Sequence, residues 1–160
     1  MKIKSVVANN HKHEFQVRTF STKRPTLTFP YCKIDEDVRP APQNPVVEVG
    51  PDPELGNEGF TWTLESGDEG TLHIDALLEE NLDPEYMAEL ALYAITDEAI
   101  KAVDESGLSK AQIAKKLGTS AAQLHRLLDP AHKQKSIGQM LALLHILGRK
   151  VTVEPISNAG

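Results

Sequence analysis

The chain has 160 residues with 17 Lys and Arg against 23 Asp and Glu, a formal net charge of −6, and 40% apolar residues. That length allows one medium domain or two small ones with a buried core. A single cysteine, Cys32, excludes an internal disulfide framework and a multi-cysteine zinc site, and reads as a small buried hydrophobe in a reduced compartment. No apolar run approaches the ~18 residues needed to cross a membrane, and the polar start is too short for a signal peptide, so the expected location is the cytoplasm.

In chain order, Lys2–Ala8 and Glu14–Phe20 alternate apolar and polar residues around an Asn9–His13 loop, which predicts a hairpin. Thr26–Phe29 is β-prone and bracketed by Pro25 and Pro30, which suits an edge strand because proline cannot donate to a ladder. Lys33–Pro45 reads as a charged, proline-rich loop. Val46–Val49 reads as a short strand, with Gly50–Pro53 as the turn after it.

Phe60–Glu65 and Thr71–Asp75 flank Ser66-Gly67-Asp68-Glu69-Gly70 and form the clearest hairpin signal. Phe60, Trp62 and Leu64 share one face, with Leu72 and Ile74 to cover it, so Trp62 reads as core. Asp75–Glu80 can form a helical turn. Asp83-Pro84 is a strong helix start, the aspartate capping and the proline at the first helical position. Tyr86, Met87, Leu90 and Tyr93 supply an apolar stripe. Thr96 or Asp97 is then read as restarting a helix through Ala99, Ile100 and Val103 to Gly107.

Residues 109–129 carry the most demanding spacing. Ser109 can cap a first helix, Ile113, Ala114 and Leu117 fall on one face, and Gly118 sits where a helix ends in a left-handed residue. Thr119 and Ser120 offer a new cap, after which Leu124, Leu127 and Leu128 form the next apolar stripe. A small side chain such as Ala114 lets two crossing helices approach closely.

After Asp129-Pro130, the basic loop Ala131–Lys135 leads into Ser136, a further cap, and an apolar helix over Ile137–Leu147 ended by Gly148. A basic loop at a helix start is a natural phosphate seat for Lys133 and Lys135. Val151–Val153 can add a short strand, paired with the N-terminal sheet or with a second subunit. Only the final few residues read as disordered.

Residues 109–129 resemble the helix-turn-helix of the λ-repressor-like (xre) family, DNA-binding repressors and antitoxins; the resemblance extends from Leu108 to about Leu147. It implies that the second helix lies in the major groove while the first spans the backbone. The base-facing positions are then Ser120, Ala121, Ala122, His125 and Arg126, with Gln123 near the groove wall and Lys110 and Gln112 facing phosphate. Thr119 stands where the family has an apolar turn residue, and Ala121 and Ala122 where longer polar readers are common. Alanine offers only contact with a thymine methyl, so direct readout would rest on Arg126, aided by Gln123 and His125.

Charge follows the same division. Residues 1–96 carry 8 Lys and Arg against 17 Asp and Glu, net −9, whereas residues 97–151 carry 9 against 5, net +4. Such asymmetry points to a nucleic-acid-binding part beside an acidic part.

The expected fold class is α+β, an N-terminal antiparallel β-rich region (1–82) followed by an all-α helix-turn-helix domain (83–153). The expected function is a sequence-specific regulator of double-stranded DNA, with a toxin protein as a further partner in the antitoxin variant. Half-sites one helical turn apart call for a homodimer, through Met140, Leu143 and Val151–Val153. One rival is a protein-interaction module whose acidic sheet holds a basic partner. Another is a small enzyme using Cys32 or His73. His11, His13 and Glu14, or His73 and Asp75, supply too few ligands for a metal site, and no nucleophile or phosphate-loop motif occurs. The sequence therefore predicts no catalytic residue, metal or cofactor.

Overall fold

The computed structural model describes residues 1–156. Contacts divide the chain into two compact units, Met1–Met87 and the chain from Ala88 on.

The first unit holds two three-stranded antiparallel sheets in the orders β1-β2-β3 and β4-β5-β6. Their strands are β1 (Ile3–Asn9), β2 (Glu14–Thr19), β3 (Thr26–Pro30), β4 (Val46–Pro51), β5 (Gly59–Leu64) and β6 (Glu69–His73). Alternation decides which faces are buried: Phe15 and Val17 on β2, Leu27 and Phe29 on β3, and Phe60, Trp62 and Leu64 on β5 all turn inward. In β1 the buried residues are Ile3 and Val6, three apart, because the register shifts between Ile3 and Ser5 and an extra residue resets the alternation.

β1 also lies beside β4, and the Ile3 N–H donates to the Asn57 carbonyl at 2.8 Å, so both sheets close over one core. Phe15 is central, its ring centroid 5.0 Å from those of Tyr31 and Phe60 and 4.9 Å from that of Trp62. The Trp62 indole N–H donates to the Val38 carbonyl at 2.8 Å, satisfying its one polar group inside the core.

β6 runs directly into α1 (Ile74–Glu80), which buries Ile74, Leu77 and Leu78 and packs on β3. Asn81 then covers the open edge of β3: its amide donates to the Thr28 carbonyl (2.8 Å) and its oxygen accepts the Thr28 N–H (3.2 Å). That pairing satisfies the strand edge at Thr28. Asp83 caps α2 (Pro84–Ser106), accepting the Tyr86 N–H at 2.9 Å and pairing with Arg24 at 2.6 Å.

The second unit comprises α2 from Ala88 on, α3 (Lys110–Leu117), α4 (Ala121–Leu127) and α5 (Ile137–Ile146). Its core is Ala99, Ala102, Ile113, Ala114, Leu124, Leu127, Met140, Leu143, Leu144 and Leu147.

Several expectations need correction. The fold is α+β, but it is not a β-rich region followed by an all-α helix-turn-helix domain. Two sheets fill the N-terminal half, α1 belongs with them, and five helices occur rather than a compact helix-turn-helix set. No helix restarts at Thr96 or Asp97, and α2 is one 23-residue helix. Thr96 is fully buried and its hydroxyl donates back to the Leu92 carbonyl at 2.7 Å, an in-helix bond in place of a cap. Its first half does not bury the expected stripe: Met87, Leu90 and Tyr93 are exposed, and the small residues Ala99 and Ala102 face the core instead.

Gly50 and Pro51 extend β4 rather than turning the chain, and Ile74 and Asp75 begin α1 rather than ending β6. Cys32 is exposed, on a 3-10 turn whose buried residue is Tyr31. Val151–Val153 forms no strand. Disorder was expected only at the extreme C-terminus, where residues 157–160 lie outside the described residues. Among the described residues, no helix is long and apolar enough to cross a membrane.

Candidate nucleic-acid interface

The α3–α4 pair is built by local chemistry at each end. Ser109 and Gln112 form a reciprocal capping box: the Ser109 hydroxyl accepts the Gln112 N–H (3.1 Å), and the Gln112 side chain accepts the Ser109 N–H (2.9 Å). Two otherwise unpaired donors are thereby satisfied. Gly118 ends α3 in the left-handed region at φ 71°, and the Thr119 N–H returns to the Ala114 carbonyl at 3.0 Å. A side chain is strained at that φ, so glycine fixes the tight turn. Ser120 caps α4, accepting the Gln123 N–H at 3.1 Å.

Ile113 and Ala114 on α3 and Leu124 and Leu127 on α4 are buried, and α3 packs against both α4 and α5. Burial of those positions leaves the other side of α4 outward: Ser120, Ala121, Ala122, His125 and Arg126 are all exposed. Lys110 and Gln112 at the start of α3 are exposed too, as are Lys115 and Lys116 in its last turn. Lys110, Lys115, Lys116 and Arg126 take part in no ion pair among the described residues.

Three expected site residues are occupied otherwise. Gln123 is half-buried, its amide donating to the Gln139 side chain on α5 at 3.1 Å. Lys133 pairs with Glu89 of α2 at 2.9 Å. Lys135 is half-buried and donates to the Thr96 hydroxyl at 2.7 Å, and burial pushes its ammonium pKa below the ordinary lysine value. The 129–136 loop is thus tied to α2 by its lysines. Burying part of a charged lysine disfavours its charge, and one hydroxyl acceptor offsets only some of that cost.

Sequence reading missed Lys115 and Lys116. Their signal was available, since both follow the buried Ile113-Ala114 pair at outward positions of the helical period. It missed Glu89, Thr96 and Gln139 as holders of the expected contact residues because no local pattern links them to positions 16 to 44 residues away. His73, weighed with Asp75 as a metal ligand, accepts the Asp75 N–H at 3.3 Å as the cap of α1.

Comparison with known proteins finds no matching family model, no matching curated protein and no matching solved structure.

Proposed function

We propose that the protein binds double-stranded DNA through the α3–turn–α4 pair, with α4 in the major groove, as a sequence-specific regulator. One observation carries the reading: Ala121, Ala122, His125 and Arg126 are exposed together on α4, beside Lys110, Lys115 and Lys116, and no carboxylate among the described residues neutralises Arg126 or these three lysines. Arg126 supplies the bidentate donor that reads guanine, and the two alanines suit thymine methyls. Lys110, Lys115 and Lys116 supply sequence-independent attraction to phosphate. Lys133 and Lys135, held by Glu89 and Thr96, contribute less than their charge suggests.

Fluorescence anisotropy with duplex genomic fragments at about 50 and about 200 mM salt tests this. Arg126→Ala is expected to lose about 1–3 kcal/mol and relax specificity, whereas Lys116→Ala weakens all sequences alike and lowers the salt slope by about 1. Duplex binding unchanged by both substitutions, or no duplex binding at low salt, rejects the reading.

A second reading has its own support. Residues 1–87 carry 8 Lys and Arg against 16 Asp and Glu, net −8, and Asp35, Glu36 and Asp37 are exposed in succession. Such a surface suits a basic protein partner, the toxin of an antitoxin pair included. Partner binding that survives Arg126→Ala but fails on neutralising Asp35, Glu36 and Asp37 favours this role.

A further inference from the structure

Beyond α5 the chain makes a controlled exit. The Gly148 N–H donates to His145 and the Arg149 N–H to Leu144, closing the helix end, with Gly148 left-handed at φ 74°. Arg149 pairs with Glu105 of α2, which anchors the root of the segment. From Lys150 to Ile156 there is no secondary structure and no backbone hydrogen bond among the described residues. The apolar side chains here lie in water: Val151 is 50%, Val153 98% and Ile156 91% exposed.

The composition of this segment is that of a strand. Val151-Thr152-Val153 are three consecutive β-branched residues, which favour extended backbone and gain from a paired neighbour. Pro155 bounds the run, since it has no N–H to donate. The flanking charges are opposite, Lys150 before and Glu154 after. Read in reverse, Lys-Val-Thr-Val-Glu keeps its apolar pattern and inverts its charges.

We infer that Lys150–Glu154 pairs as an antiparallel strand with the same segment of a second copy of this chain, about a two-fold axis through Thr152. In that register each Lys150 lies opposite Glu154 of the second copy, each Val151 opposite a Val153, and the two Thr152 residues face each other. The charges select this arrangement over its competitors. A parallel in-register pair sets Lys150 on Lys150 and Glu154 on Glu154, and an antiparallel slip of two residues breaks both ion pairs. Directly opposed unlike charges and β-branched pairs stabilise a two-stranded ladder, and like charges oppose it. The resulting interface is isologous and closes at two copies. A two-stranded ribbon this short is marginal alone, so the dimer is weak and depends on solution concentration.

The inference stands on the strand pattern and is independent of the DNA reading. It is tested without DNA, by sedimentation velocity of the full chain from micromolar to millimolar concentration. The wild type is expected to pass from monomer to dimer. Lys150→Glu or Glu154→Lys alone weakens dimerisation about tenfold, because two ion pairs become two like-charge pairs. The double swap Lys150→Glu/Glu154→Lys restores it, since the inverted pattern is again self-complementary. Both positions of change lie on exposed chain, and circular dichroism verifies that the fold is retained. A chain that stays monomeric at millimolar concentration, a dimer indifferent to either single swap, or a double swap that fails to rescue would each overturn it. Loss of the dimer leaves duplex binding to be judged by its own titration, and absence of duplex binding leaves the dimer untouched.

Discussion

Replacing Gly70 by alanine tests the packing of the first unit at its tightest point. Gly70 lies directly opposite Trp62 in the β5–β6 ladder. A methyl group there would sit 2.2, 2.4 and 2.8 Å from three atoms of the indole, far inside contact distance. The indole cannot easily retreat. It is 2% exposed, is held by its N–H bond to the Val38 carbonyl, and is backed by Phe15 and Phe60.

Overpacking of this kind costs about 1–3 kcal/mol. Displacing the ring would also strand the buried N–H, at about 1–3 kcal/mol. Against this stands a gain of about 0.4–1 kcal/mol from restricting the unfolded chain, because Gly70 needs no left-handed φ. The net expectation is a loss of about 2–4 kcal/mol, a large share of the stability of a small domain. Trp62 is the sole tryptophan, so its fluorescence in a urea titration reports this unit directly. In a Trp62→Leu background, where the fluorophore is gone and the urea titration is followed by circular dichroism, the steric cost should vanish and Gly70→Ala should become neutral or mildly stabilising. An unchanged midpoint in the wild-type background, or a penalty that persists without the indole, refutes the reasoning.

Two further outcomes follow from the polar contacts. The Tyr86 N–H, aided by Arg24, holds the Asp83 carboxyl below its ordinary pKa. A depressed folded pKa means that the stabilisation is complete above the unfolded value of about 3.9 and fades as pH falls through the lowered folded value. Asp83→Asn, which keeps a capping side chain, should therefore cost about 1–2 kcal/mol at neutral pH, moderated by screening at half-exposed Arg24. Urea midpoints at acid pH should show that gap narrowing; a gap constant with pH contradicts the assignment. In the second unit, Thr96→Val preserves shape but removes the acceptor of Lys135, and should lower stability by about 1–3 kcal/mol. Thr96→Ser should recover most of it in thermal melts followed by circular dichroism, and equal loss in both variants would show that the hydroxyl is not the cause.

Much was legible from local pattern alone. Both hairpins follow from alternation around short turns, the Asp83 helix start and the Ser109, Ser120 and Ser136 caps from side chains bonding to backbone within a few residues, and the Gly118 turn from glycine's left-handed φ. These signals were readable in the sequence because both partners lie in one short window. The outward face of α4 was legible for the same reason, since helical period alone assigns Leu124 and Leu127 inward and Ala121, Ala122, His125 and Arg126 outward.

Tertiary contacts decided the rest. The expected apolar stripe of α2 is exposed while Ala99 and Ala102 are buried, because a face becomes core only where another element meets it. Thr96 reads as a cap in isolation, yet inside α2 its hydroxyl bonds to Leu92 and receives Lys135 across 39 residues. Lys133, Lys135 and Gln123 have the composition of contact residues, and their availability depends on Glu89, Thr96 and Gln139, which no local spacing connects to them. Local backbone chemistry therefore determined the capped helix starts and the two hairpins, but not the ends of β4 and β6 or the continuity of α2. Which of their faces are buried, and which charges remain open to a partner, was settled by contacts between residues distant in the chain.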